Sequence, residues 1–121
     1  MTLSAHGHLD TQEFNDIELD ESPEVILAAA ATLFGFEVDN EANEDDVYVK
    51  FRDHASSFSV GTDAPDFVFL VKGGTRRVQP MSSDGTGHAF ASGIIVACVT
   101  TGGTEGSVGP TSKVRITLKT N

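Results

Sequence analysis

The chain has 121 residues, 39% of them hydrophobic and 21% charged, which suits one globular domain and excludes wholesale disorder. No apolar run approaches the roughly 18 residues that span a bilayer, and no basic-then-apolar opening suggests a secretory leader. A single cysteine, Cys98, excludes an intrachain disulfide and a cysteine-based zinc site.

Charge is distributed unevenly. Residues 1–49 hold thirteen acidic side chains and no Lys or Arg, whereas residues 50–121 hold five acids and eight bases. The halves therefore carry −13 and +3, which sum to the net −10. Phosphate binding needs a basic face, and the only adjacent basic pair is Arg76-Arg77, so no nucleic-acid partner is expected. The same charge disfavours an anionic membrane. Two readings of the acidity stay open: solvation of a small domain, or an arm that docks on a basic partner or on the basic half of a neighbouring copy.

In chain order, residues 1–22 are polar and acidic, and Phe14, Ile17 and Leu19 are too few and too irregularly spaced to bury themselves. An extended N-terminal arm is expected here, lying on its own domain or on another chain. Residues 23–40 give conflicting signals. Ser22-Pro23-Glu24 resembles a helix start and four alanines favour helix, but Phe34, Phe36 and Val38 alternate with Gly35, Glu37 and Asp39. Residues 32–39 read as a strand. Residues 23–30 lean the same way, with a short helix as the alternative.

Val47 to Arg52 alternates strictly, with Val47, Val49 and Phe51 on one face and Tyr48, Lys50 and Arg52 on the other. Phe67 to Val71 is a continuous apolar strand, and Gly73-Gly74 reads as a tight hairpin turn into Thr75 to Gln79. Residues 82–87 read as a loop, Ile94 to Thr101 as the most apolar strand, Gly102 to Pro110 as a glycine-rich loop and Val114 to Lys119 as a final alternating strand. Six or seven short strands separated by turn residues predict an all-β fold: an antiparallel β-sandwich, jelly-roll-like, over residues 23–121, preceded by the acidic arm 1–22.

Reactive chemistry is sparse. His6 and His8 have a spacing that could clamp a metal, but so short a motif arises readily by chance; His54 and His88 fall at loop or strand ends. No nucleophile elbow, zinc-binding helix motif or phosphate loop with its lysine occurs, and Cys98 sits mid-strand as a small hydrophobe. The acidic run 39–46 lacks the glycine of an EF-hand loop and reads as a solvated turn, with a looser inter-strand Ca²⁺ site as the alternative. No enzyme and no cofactor are expected.

Ala31-Thr32-Leu33-Phe34-Gly35-Phe36-Glu37-Val38-Asp39-Asn40 runs into Val47-Tyr48-Val49-Lys50-Phe51, then Val60-Gly61-Thr62-Asp63-Ala64-Pro65, then His88-Ala89-Phe90-Ala91-Ser92-Gly93-Ile94. This order resembles a group of small tailed-bacteriophage structural proteins, over about residues 25–118. Arg52-Asp53-His54 and the acidic first 24 residues depart from the group's pattern. The resemblance implies a β-sandwich virion component, a decoration (cement) protein on the capsid exterior that binds the major capsid protein and stabilises the shell. Charge asymmetry within each copy favours a homo-oligomer, a closed trimer first. The expected interface residues are Phe14, Ile17, Leu19, Asp20 and Glu21 of the arm, with Arg76 and Arg77. A neck or tail component is the alternative within the virion. A carbohydrate-binding module is the alternative outside it, although the chain offers no Trp and one Tyr as platforms.

Overall fold

The computed structural model describes residues 11–81 and 86–121. All regular structure among them is β: β1 (Gln12–Leu19), β2 (Glu24–Leu27), β3 (Ala31–Asp39), β4 (Val47–Arg52), β5 (Phe67–Val71), β6 (Arg76–Pro80), β7 (His88–Phe90), β8 (Ile94–Val99) and β9 (Val114–Thr120). The first sheet runs β1-β9-β3-β6, with β7 beside the opposite end of β3; the second runs β2-β8-β4-β5. Every pairing is antiparallel.

The order follows from one long folded ribbon. β4 pairs with β5, β3 with β6, β2 with β8 and β1 with β9, so the chain runs out to a tip at residues 53–66 and returns beside itself. Rolling the ribbon sets β9 against β3 and β8 against β4, which yields two sheets in jelly-roll order. The expected all-β sandwich is thus the observed fold, and residues 24–27 are strand rather than helix.

Inward residues of both sheets are fully shielded, among them Leu33, Val38, Val49, Phe51, Val96, Ile116 and Leu118 at 0% exposure. At one end the rings of Phe36, Phe51 and Phe69 meet with centroids 5.0, 5.0 and 5.9 Å apart, each such pair adding about 0.5–1.5 kcal/mol beyond its buried area. Arg77 closes the side between β5 and β6. It turns inward, donates from Nη1 to the Leu70 carbonyl at 2.7 Å and lies 5.4 Å over the Phe69 ring, blunting two sheet edges at once.

The described part of the acidic arm lies on its own domain as β1, and in this the 1–22/23–121 division differs from the structure: it cuts through the first sheet. Asp16, at φ 53°, sits in a bulge opposite Thr117, whose hydroxyl accepts its N–H at 3.2 Å. The extra residue resets the alternation, so Phe14 and Ile17, three apart, both face the core beside Leu19.

The Gly73-Gly74 hairpin is also corrected. β5 belongs to the second sheet and β6 to the first, so the Lys72–Thr75 turn is a corner between layers. Gly74 has φ 75°, and a side chain at Gly73 would strike the backbone at Glu44. Nor is the 39–46 segment a merely solvated turn. Asn40 and Asn43 are buried; Asn40 donates to the Asp45, Val71 and Lys72 carbonyls, and Asn43 exchanges two bonds with Ser112. These amides tie three loops together.

Loops cover the centre of the outer face of the second sheet, over β4 and β8, while Val25, Val68 and Leu70 on the edge strands β2 and β5 stay exposed. Phe58 and Val60 of the tip cover Ile95 and Ala97, and the glycine-rich loop covers Lys50, which is 0% exposed. Lys50 Nζ donates to the Gly103 and Gly106 carbonyls at 2.7 and 2.8 Å, and burial pushes its pKa below the ordinary 10.5. The tip is fixed by Asp53, whose carboxylate accepts the Ala91, Ser92 and Gly93 N–H groups. Partial burial works to raise the Asp53 pKa, but these three N–H groups and nearby His88 outweigh it and leave the carboxyl below 3.8.

A folded-state pKa below the unfolded one means that Asp53 stabilises the fold above about pH 4 and loses that effect as acid protonates it. Asp53→Asn should therefore melt below the full chain at neutral pH, with the two melting curves converging towards about pH 2. A gap that stays constant on acidification would contradict this role.

Candidate interaction surface

Among the described residues the outer face of the first sheet is open across its four main strands, whereas that of the second sheet is open only along its edge strands. Its side chains are set by register. β9 presents Arg115, Thr117 and Lys119; β3 presents Asp39, Glu37 and Gly35 opposite them. On the flanks β1 supplies Glu18 opposite Arg115 and Glu13 opposite Lys119, and β6 supplies Arg76, Val78 and Pro80 opposite Asp39, Glu37 and Gly35.

One end of the face is apolar and concave. Leu33 and Phe36, three apart, are both buried, so β3 carries an irregularity that leaves Phe34 on the outer side, not on the core face with Phe36 and Val38. Gly35 adds no side chain, and a Cβ there would meet the Gln79 carbonyl oxygen at 3.0 Å. The result is a groove of about 620 Å³ lined by Phe34, Gly35, Val78, Pro80, Glu13 and Lys119. Val78 is 71% exposed, the most exposed large hydrophobic described.

The other end is charged. Arg76 lies 3.2 Å from Asp39, 3.7 Å from Glu41 and 3.9 Å from Glu37; back at the groove end, Lys119 lies 3.8 Å from Glu13. Arg115 is exposed and makes no ion pair or side-chain hydrogen bond among the described residues.

The seven residues expected at an interface do not converge. Phe14, Ile17 and Leu19 face the core. Asp20 caps the Ser22 N–H at 2.8 Å and lies 3.8 Å from Lys113, while Glu21 leans on Gly109. Arg77 closes the sandwich edge, and Arg76 alone lies on the open face. His6 and His8 lie outside the described residues. Residues missed by sequence reasoning are Phe34, Val78, Pro80 and Arg115; the alternation of 114–119 marked Arg115 as outward, but nothing local marked which outward face stays open.

Among the described residues no group of three or more His, Cys, Asp and Glu side chains converges to hold a metal. Burial, with the Asp20 charge adding to it, pushes the Cys98 thiol up to about 12, leaving it without nucleophilic character at neutral pH. Nor is the one tyrosine a platform: Gly102 lies on the Tyr48 ring, so close that a Cβ would fall 2.7 Å from it. The arrangement presents contact area and paired charge. Comparison with family models, with curated proteins and with solved structures finds no match to this chain.

Proposed function

We propose that the chain is a structural component of a tailed-phage virion, a decoration protein that binds the outside of the capsid beside the major capsid protein and stabilises the shell. The observation that carries the reading is the open face of the first sheet, with an apolar groove beside exposed Val78 at one end and sorted charges at the other, on a sandwich whose second sheet is covered at its centre by its own loops. Such a face suits protein contact, which joins apolar area to paired polar groups. The sequence resemblance to small phage structural proteins supplies the setting. Jelly rolls occur in viral capsid and lectin domains alike, so architecture alone favours neither use. Coverage of Tyr48 favours protein over sugar as the ligand of this chain.

The test uses particles. Shells stripped of this chain should release DNA at a lower temperature than shells to which it is restored, and labelled chain should appear over the capsid surface. Equal heat resistance with and without it, together with label confined to the neck or tail, would overturn the decoration reading.

A further inference from the structure

The charges of the open face are sorted by strand. β1 contributes Glu13, Asp16 and Glu18, β9 contributes Arg115 and Lys119, β3 contributes Glu37 and Asp39, and β6 contributes Arg76. The four strands in their order across the sheet are thus acidic, basic, acidic, basic. We propose that this face is an interface with a second copy of the chain, the two related by a twofold axis parallel to the strands and passing between β9 and β3.

The pattern selects that axis. Rotation about it lays β9 of one copy over β3 of the other and β1 over β6, so every basic row meets an acidic one. A twofold axis across the strands would instead lay each strand over its own counterpart, like charge on like. An axis parallel to the strands also keeps both copies pointing the same way, so that equal levels meet. At the charged level Arg115 faces the second copy's Asp39 and Glu18 faces its Arg76, each pair occurring twice by symmetry. At the other level the second copy's β1 lies over β6, so Val78 is covered by that strand and shielded from water. Arg115 thereby gains a partner that the described residues of its own chain do not provide.

Four strands about 4.8 Å apart and about six residues long make a patch of about 20 by 20 Å, which buries on the order of 1,000 Å² over two copies. That is the small end of specific interfaces, and it corresponds to a dimer that forms at micromolar concentrations, on the order of 1–100 µM. A dimer replaces the trimer expected from charge asymmetry between the halves of the chain. The inference rests on reading this face as the assembly surface; it names the occupant.

Sedimentation of the full chain over that concentration range reads the result. The chain should shift from monomer to dimer. Arg115→Glu and Asp39→Arg should each remain monomeric, because each sets two like-charge contacts across the axis, and an equimolar mixture of the two variants should dimerise again, because both contacts are then attractive. Circular dichroism confirms that each variant is folded, and Val78→Glu, at an exposed position, should also abolish the dimer without disturbing the core. A wild-type monomer at every concentration, a trimer, or a dimer unaffected by Arg115→Glu would overturn the proposal. Wild-type monomers that still coat and stabilise capsids would overturn the twofold pairing while leaving the decoration reading intact.

Discussion

A chain lacking residues 1–22 should fail to reach a stable fold. Read as an extended arm before a sandwich over 23–121, this segment would be dispensable for folding, but it contains an entire strand. β1 pairs with β9 from Gln12 to Leu19 and seals one side of the first sheet. Leu19 is 0% exposed, and Phe14 and Ile17 pack against the same core. Emptying the Leu19 site alone corresponds to about 2–5 kcal/mol. Loss of the two flanking side chains and of the strand's hydrogen bonds adds to this, against a total stability of about 5–15 kcal/mol for a domain of this size. The outer edge of β9 would also be left as an unpaired strand, a template for aggregation. Far-ultraviolet circular dichroism and thermal melting of the truncated chain check the outcome. A cooperative melt within a few degrees of the full chain would contradict it.

Lys50→Met should cost about 2–4 kcal/mol and release the 100–110 loop to proteolysis. Methionine keeps most of the side-chain volume, so the outer face of the second sheet stays filled. It cannot donate, and the Gly103 and Gly106 carbonyls lose their shared partner. Hydrogen bonds from a charged donor contribute about 1.5–3 kcal/mol each, partly offset by the desolvation of the ammonium that the variant avoids. Burial lowers the Lys50 pKa, so raising the pH relieves that desolvation, and the neutral amine still has two N–H donors for two carbonyls. Urea unfolding and limited digestion with a glutamate-specific protease, which cuts after Glu105 in the loop, check this. An unchanged midpoint with an equally resistant loop would show that the ammonium does not hold it.

These two cases show where the sequence could and could not be read. Strands with unbroken patterns were legible: Val47–Arg52, which alternates because one buried face forces period two, and Phe67–Val71, a continuous apolar run, fall where they were read. Bulges hid the rest. Spacings of three between Phe14 and Ile17, and between Leu33 and Phe36, look irregular until an extra residue is inserted at each place. Lys50 was placed correctly on the outer face of β4, yet only the tertiary fold brings a loop from 53 and 56 positions downstream over it. Gly73-Gly74 has the chemistry of a turn, and local chemistry does not distinguish a turn within one sheet from a corner between two.

The candidate surface was legible in its parts and not in its assembly. Outward positions of 114–119 followed from alternation, and Arg76 was singled out as basic. That acidic β1 and basic β9 lie side by side, although about a hundred residues separate them in the chain, depends on the rolled topology. That no loop among the described residues covers the first sheet has no local signature at all. Arg77 illustrates the same limit. It neighbours Arg76 in sequence and shares its chemistry, but one residue of pleat sends it to the Leu70 carbonyl while Arg76 meets Asp39 on the open side.

Lysine acylation, followed residue by residue by mass spectrometry in dilute and in assembled protein, tests most directly whether the chain assembles through the outer face of its first sheet. Lys119 stands on that face with 67% of its side chain exposed, and Lys72 stands exposed at the corner between the sheets as an internal reference. Assembly should slow modification of Lys119 severalfold and leave Lys72 unchanged. Equal reactivity of Lys119 in both states would mean that the chain assembles through some other surface.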